Sequence, residues 1–305
     1  MWMVRRALIS VALTLALPCA HAQTASPLLV TPQQLAKELK DPALVLLQVG
    51  PKEDYDAGHI PGARLVTMRD VATENKPGAP VLELPDEADL RGRLERLGIS
   101  NNSRIVVIAG ADWASPSTRV VWTLQTAGLG ERTRWLDGGA IAWKAAGLPI
   151  TNTAPPAATP GHLTLTADRS VVVDYAWVQT HKDTPKIRLI DARDAVFYEG
   201  VGMPEHNAKA GHIPGAKSLP FTSVMDDSLH VLPVTRLQQL FAGAGVQPGD
   251  TVVAYCHIGQ QATALLFGAR VLGHPIKLYD GSFTDWESRK LPVENNAPDK
   301  KPGDR

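Results

Sequence analysis

Seven residues, Ala57-Gly58-His59-Ile60-Pro61-Gly62-Ala63, recur unchanged as Ala210-Gly211-His212-Ile213-Pro214-Gly215-Ala216. A second echo follows each in the same order. Trp135-Leu136-Asp137-Gly138, continuing through Trp143 to Leu148-Pro149-Ile150, returns as Leu278-Tyr279-Asp280-Gly281, continuing through Trp286 to Leu291-Pro292-Val293. Two ordered echoes in two halves mean one structural unit present twice. Whatever the chain folds into must therefore fit twice into 305 residues, and domains of ordinary size do so. Between the copies, Thr151 to Thr166 is rich in Pro, Thr and Ala and reads as a segment that wraps rather than folds. The expected organisation is a first domain over 26–150, a linker over 151–166 and a second domain over 167–298.

Within a copy, helical and strand signals alternate. Thr31 before Pro32 is an N-cap followed by proline at the first helical position, and predicts a helix to about Leu39. Ala43–Val49 reads as a buried strand, Asp86–Leu97 as a helix, Arg104–Ala109 as a strand, Ser117–Leu129 as a helix and Arg134–Leu136 as a short strand. Continuous Val/Ile/Leu-rich strands separated by helices predict an α/β fold, each copy a parallel sheet covered by helices on both faces.

Lys+Arg and Asp+Glu are both 31, so no basic surplus points to a nucleic-acid partner. The amino terminus has Arg5-Arg6, an apolar run from Ala7 to Leu17 and then Ala20-His21-Ala22, which reads as a secretory signal over residues 1–22 cleaved after Ala22. The run falls short of the roughly 20 residues that span a bilayer, so no stable membrane anchor is expected. Pro18 before Cys19 argues against lipid attachment there. The expected location is exported, in the periplasm. Of the two cysteines, Cys19 leaves with the signal, so the mature chain has one thiol, Cys256, and no internal disulfide. An unpaired thiol in an oxidising compartment wants a reason.

That thiol lies at the end of a β-branched run, Thr251 to Tyr255, before a short loop (His257, Ile258, Gly259, Gln260, Gln261) that opens into an apolar helix. Ligands in open α/β sheets bind where strand carboxyl ends meet helix amino ends. Inward-pointing loop N–H groups and the positive helix end both favour negative charge on the sulfur. The first copy lacks this chemistry. Gly110 aligns with Cys256, and Gln48-Val49-Gly50 with Asp191-Ala192-Arg193. The joint loss suggests that Arg193 shares a site with Cys256 and holds an anionic substrate through its planar fork.

These residues, from about Val30 to Val293, resemble the tandem-domain rhodaneses, sulfurtransferases of the thiosulfate and 3-mercaptopyruvate type. The resemblance rests on the duplicated AGHIPGA, Asp191-Ala192-Arg193, the Cys256 loop and the Asp-Gly…Trp endings. It implies a double displacement: Cys256 takes the outer sulfur of thiosulfate as a persulfide, and cyanide or a thiol then removes it. It also implies substrate binding by Arg193 and the loop residues His257 to Gln261, and no metal or organic cofactor. The partners are a small-molecule sulfur donor and a thiophilic acceptor. Phosphatases of the same fold need Cys-x5-Arg to clamp phosphate, and here that position is Ala262. Mercaptopyruvate-type members carry a hydroxyl in a Cys-Gly-Ser-Gly loop, which this loop lacks, so thiosulfate is the expected donor and mercaptopyruvate the alternative. A sulfur carrier that is loaded by, and hands on to, a partner protein is a further reading. His59 and His212 are expected to brace turns. The second copy also has an excursion over Phe197 to Lys209 that either rims the site or is plain surface.

Overall fold

The computed structural model describes residues 26–74, 81–111, 114–202 and 209–296. The expected signal, Cys19 and the middle of the 197–209 excursion lie outside the described residues.

The first copy runs β1 (Leu29–Val30), α1 (Pro32–Glu38), β2 (Leu44–Val49), α2 (Lys52–Ala57), β3 (Arg64–Val66), α3 (Met68–Val71), α4 (Glu87–Arg96), β4 (Arg104–Ala109), α5 (Ala114–Leu124), β5 (Thr133–Leu136) and α6 (Gly139–Ala145). The second runs β6 (Val172–Val173), α7 (Tyr175–His181), β7 (Ile187–Asp191), α8 (Ala195–Tyr198), β8 (Lys217–Ser218), α9 (Val234–Gly243), β9 (Thr251–Tyr255), α10 (Ala262–Val271), β10 (Ile276–Tyr279) and α11 (Ser282–Ser288). Each forms a five-stranded sheet, of order β1-β5-β4-β2-β3 and β6-β10-β9-β7-β8. Every pairing between these strands is parallel. The two orders are the same order, as the repeat requires. Helix α5 ends earlier than expected, because Gln125–Leu129 forms a π turn in which Gly128 takes φ 82°.

Residue alternation along the strands assigns the faces. In β2, Val45, Leu47 and Val49 join one large core while Leu46 turns to the other side, and in β4, Ile105, Val107 and Ala109 part from Val106 and Ile108 in the same way. The large core is common to both copies, since Ile190, Val252 and Ala254 belong to it as well. Val253 and Tyr255 turn to the far face of the second sheet, with Phe283 and Trp286. Helices α5 and α10 pack against each other in the shared layer.

The echoed motifs are braces. Trp143 and Trp286 each donate the indole N–H to the carbonyl of the proline six residues on, Pro149 and Pro292, at 2.8 Å. His59 stacks on Tyr55 and His212 on Tyr198, centroids 3.8 Å apart. Each His Nδ1 lies within hydrogen-bond distance of that tyrosine's carbonyl. The segment after Thr151 has no regular element before Arg169 and lies along the first copy, where Gly161 and Leu163 donate to Glu95 and Asp168 donates to the Thr126 carbonyl.

Candidate active site

Cys256 continues the alternation of β9 past its end. It follows Val252 and Ala254 onto the shared face and is buried there, 0% exposed. Five carbonyls of this stretch, those of Cys256, His257, Gly259, Gln260 and Gln261, accept hydrogen bonds from groups outside the site. Cys256 O accepts from Phe283 N, His257 O from Thr284 N, Gln260 O from Thr263 N and Gln261 O from Ala264 N. Gly259 O accepts from Arg119 Nη1 at 3.1 Å. The N–H of Cys256 donates to Ser282 Oγ at 3.1 Å. By contrast, the N–H groups of Ile258, Gly259, Gln260 and Gln261 meet no acceptor among the described residues. Backbone donors so close to a buried thiol, at the start of α10, make a nest for an anion. Gly259 takes φ +81°, and a Cβ there would lie 2.5 Å from the Asp280 carbonyl oxygen; only glycine fits both the conformation and the space.

The first copy has this junction closed. Gly110 stands where Cys256 stands, since β2 pairs Val49 with Ala109 as β7 pairs Asp191 with Tyr255. The Gly110 N–H donates to Val49 O at 2.8 Å, and a Cβ at Gly110 would meet that oxygen at 3.0 Å.

Arg193 is placed differently from the sequence expectation. The same register puts Val49, not Gln48, opposite Asp191, and from the helix side Pro51, which caps α2, matches Asp194, which caps α8. The second copy thus has one residue more between strand and helix, and Arg193 has no counterpart. Its fork does not open into solvent. It is 1% exposed. Nε and Nη2 engage the Asp191 carboxylate, Nη2 at 2.5 Å, and Nη2 also donates to Gly211 O at 2.7 Å. The guanidinium stacks over Phe283 at 4.0 Å and lies near Tyr255, side chains of the far face. Burial works against its charge, but Asp191, with Tyr255 and Cys256 contributing, outweighs burial and raises its pKa.

Of the loop side chains, His257 packs edge-on against Phe197 of α8 at 4.8 Å between centroids, which brings the described start of the 197–209 excursion against the loop. Gln260 Nε2 reaches Ser115 Oγ of the first copy at 3.4 Å. Ile258 is half-buried, as is Gln261, whose Oε1 is buried without a partner. No group of three or more His, Cys, Asp or Glu residues among the described residues could hold a metal.

Three residues that touch the Cys256 loop, or brace a residue that does, escaped the sequence reading. Arg119 and Asp280 pair across the two copies at 2.5 Å behind the loop. Ser282 holds a left-handed backbone, φ 56°, while its Oγ accepts from Cys256 N and donates to Tyr279 O. A clue was available for Ser282, since its counterpart Gly139 has φ 53° and the echo replaces Gly with Ser.

The family model for the rhodanese-like domain matches residues 31–146 and again 174–289. The chain is 34% identical over 270 residues to a probable 3-mercaptopyruvate sulfurtransferase of Pseudomonas aeruginosa, covering 85% of this chain and 94% of that one. It is 31% identical to a thiosulfate sulfurtransferase of Azotobacter vinelandii over 88% of this chain and 97% of the relative. Among solved structures, the anaerobic ergothioneine biosynthesis enzyme from Chlorobium limicola superposes with TM-score 0.78 at 20% identity, covering 90% and 72% of the two chains. YnjE superposes with TM-score 0.79 at 21% identity, covering 90% and 70%; at such identities these two speak for the fold. With its sheets in one order and both halves matched, the chain belongs to the rhodanese-like domain family, as a tandem of two copies.

Proposed function

We propose that this sulfurtransferase works through a persulfide on Cys256, with thiosulfate as donor. That the chain is a sulfurtransferase enzyme follows from its curated relatives; the residue and the donor are our reading. The observation that carries it is the loop itself: next to the buried thiol, the N–H groups of residues 258 to 261 meet no acceptor among the described residues, while the carbonyls of Cys256, His257, Gly259, Gln260 and Gln261 are bonded elsewhere.

In the first step the Cys256 thiolate attacks the outer sulfur of thiosulfate. A sulfur–sulfur bond forms to Cys256, and the bond to the sulfonate sulfur breaks, its electron pair leaving with sulfite. The persulfide keeps one negative charge, and the N–H groups of residues 258 to 261 and the start of α10 stabilise it. In the second step cyanide or a thiolate attacks the outer sulfur and Cys256 leaves as thiolate. The covalent intermediate divides one transfer into two easier ones. Because Cys256 is 0% exposed, side chains around the loop shift to admit the donor. Arg193 neutralises the buried Asp191 carboxylate under the site and ties it to the Gly211 turn, so its part in donor binding is to hold the strand end rather than to clamp the anion.

Mercaptopyruvate is the second reading, and the P. aeruginosa relative favours it by name, though the loop offers no hydroxyl at His257, Ile258 or Gly259. Residues 1–22 support export to the periplasm, and no described helix is long and apolar enough to cross a membrane. Initial rates of the purified chain with each donor, cyanide as acceptor, decide between them. Faster turnover of mercaptopyruvate refutes the thiosulfate assignment.

A further inference from the structure

The shared layer is pseudo-symmetric at its centre. Thr118 of α5 and Thr263 of α10 meet at 2.9 Å between hydroxyls. Each hydroxyl also lies within hydrogen-bond distance of the carbonyl three residues earlier, Thr118 of Ser115 O and Thr263 of Gln260 O. The two threonines are therefore equivalent, and the residue after each occupies the same place in its copy. After Thr263 comes Ala264. After Thr118 comes Arg119, a charged residue where the other copy has alanine, and it reaches into the copy that has the cysteine.

Arg119 is 0% exposed. Its Nη1 donates to Gly259 O at 3.1 Å and to Asp280 Oδ1 at 2.5 Å; its Nη2 reaches Asp280 Oδ2 at 3.3 Å and the Leu82 carbonyl. The Trp122 ring lies 4.6 Å from its guanidinium carbon. Four residues from both copies, Gly259, Asp280, Leu82 and Trp122, thus fix one cation behind the loop.

The consequence concerns the peptide that follows Gly259. A peptide plane is rigid, so its carbonyl and its N–H point in opposite directions. The carbonyls of Cys256, His257, Gln260 and Gln261 accept from backbone N–H groups of their own copy, whereas Gly259 O accepts from a side chain of the other copy. We propose that Arg119 is a positioning residue of the sulfur-transfer site, supplied by the copy without a cysteine: by holding Gly259 O outward it keeps the Gln260 N–H and its neighbours turned toward Cys256. The inference rests on the Cys256 reading, and accounts for why a copy without the thiol is part of the machine. With Arg119 lost, that carbonyl is free to rotate toward the sulfur and oppose the charge the loop exists to hold.

Arg119→Gln alone would strand a buried Asp280 carboxylate, so the test uses Arg119→Gln/Asp280→Asn, which removes both charges, and Arg119→Lys, which keeps the ion pair with a single donor head. Three readouts are taken on the whole chain: thermal unfolding, single-turnover loading of sulfur from thiosulfate, and alkylation of Cys256 by iodoacetamide at one pH, followed on its peptide by mass. A folded double variant is expected to lose about 10- to 100-fold in the limiting loading rate, the size of effect a misplacement of about 1 Å has. The thiosulfate concentration for half-maximal rate should stay within about threefold, since Arg119 touches no donor, and the lysine variant should recover part of the rate. Alkylation should slow in both variants. Unchanged loading and alkylation in a folded variant overturn the proposal, as does a change confined to the half-maximal concentration, and so does failure of both variants to fold, which makes Arg119 a structural anchor. If the unaltered chain takes up no sulfur, the sulfurtransfer reading fails by itself, and alkylation still decides the role of Arg119.

Discussion

Replacing Arg193 by alanine separates two roles for this side chain. Were it a substrate clamp, its loss would cost one charge-assisted contact to the donor, about 1.5–3 kcal/mol of binding, and would leave the fold intact. The structure predicts the reverse weighting. Asp191 is 0% exposed, and its carboxylate is bonded by Arg193 through Nε, Nη2 and the backbone N–H. Removing one partner of a buried pair strands the other charge, at about 3–5 kcal/mol. Gly211 O and the Phe283 stack lose their partner too. With a urea dependence of about 1–3 kcal/mol per M, the midpoint should fall by at least about 1 M. Adding Asp191→Asn removes the stranded charge and should recover more than half of the loss. The assay is urea unfolding followed by circular dichroism, with donor titration on whatever fraction stays folded. An Arg193→Ala chain that unfolds within about 0.5 kcal/mol of the unaltered one, and is impaired only in thiosulfate concentration dependence, refutes this reasoning.

Gly259→Ala has to place a methyl 2.5 Å from Asp280 O in a left-handed conformation, which costs about 1–2 kcal/mol before any clash; sulfur loading by rapid quench should slow about 100-fold, and native loading by a folded variant contradicts it. Ser282→Gly relieves the left-handed strain but leaves the buried Cys256 N–H without its acceptor, while Ser282→Ala keeps the strain and loses the bond, so melting temperatures should rank serine, glycine, alanine from highest to lowest; alanine above glycine is the adverse result. Burial pushes the Asp137 carboxyl up, against the Val231 N–H and His230, which pull it down. A raised carboxyl in the folded state makes folding lose ground as pH rises through that pKa. Asp137→Asn, able to keep the 2.9 Å acceptor for Val231 N, should therefore melt higher at pH 8, with the gain fading as pH falls through the carboxylate range; a gain that grows toward acid contradicts the sign.

The two-copy fold was legible because its evidence is local and doubled. Contiguous apolar runs such as Leu44–Val49 and Arg104–Ala109 mark buried parallel strands, and the echoed Asp-Gly…Trp endings fix equivalent places in both sheets. Cys256 was legible for a related reason, as a lone thiol at a strand-to-helix junction whose counterpart is Gly110. Arg119 was not, because its partner Asp280 is remote in sequence and the one charged residue of an otherwise uncharged helix has no visible reason until the copies face each other. Arg193 was half legible. Its link to the second copy was visible, but Asp191, two residues earlier, was a carboxylate within reach of the same guanidinium, and strand alternation had already sent Asp191 and Tyr255 to the face away from Cys256. The one-residue difference between Gly50 and Asp194 could only be seen in the sheet register, because short apolar turns align equally well in two ways.

The most direct test of the account is the mass of the intact chain after incubation with thiosulfate and no acceptor. The account predicts a gain of one sulfur atom, about 32 Da for a persulfide, mapping to Cys256, persisting until cyanide is added and then lost as thiocyanate, and absent from a folded Cys256→Ser chain. Sulfur on any other residue, or sulfurtransferase turnover retained by Cys256→Ser, contradicts it.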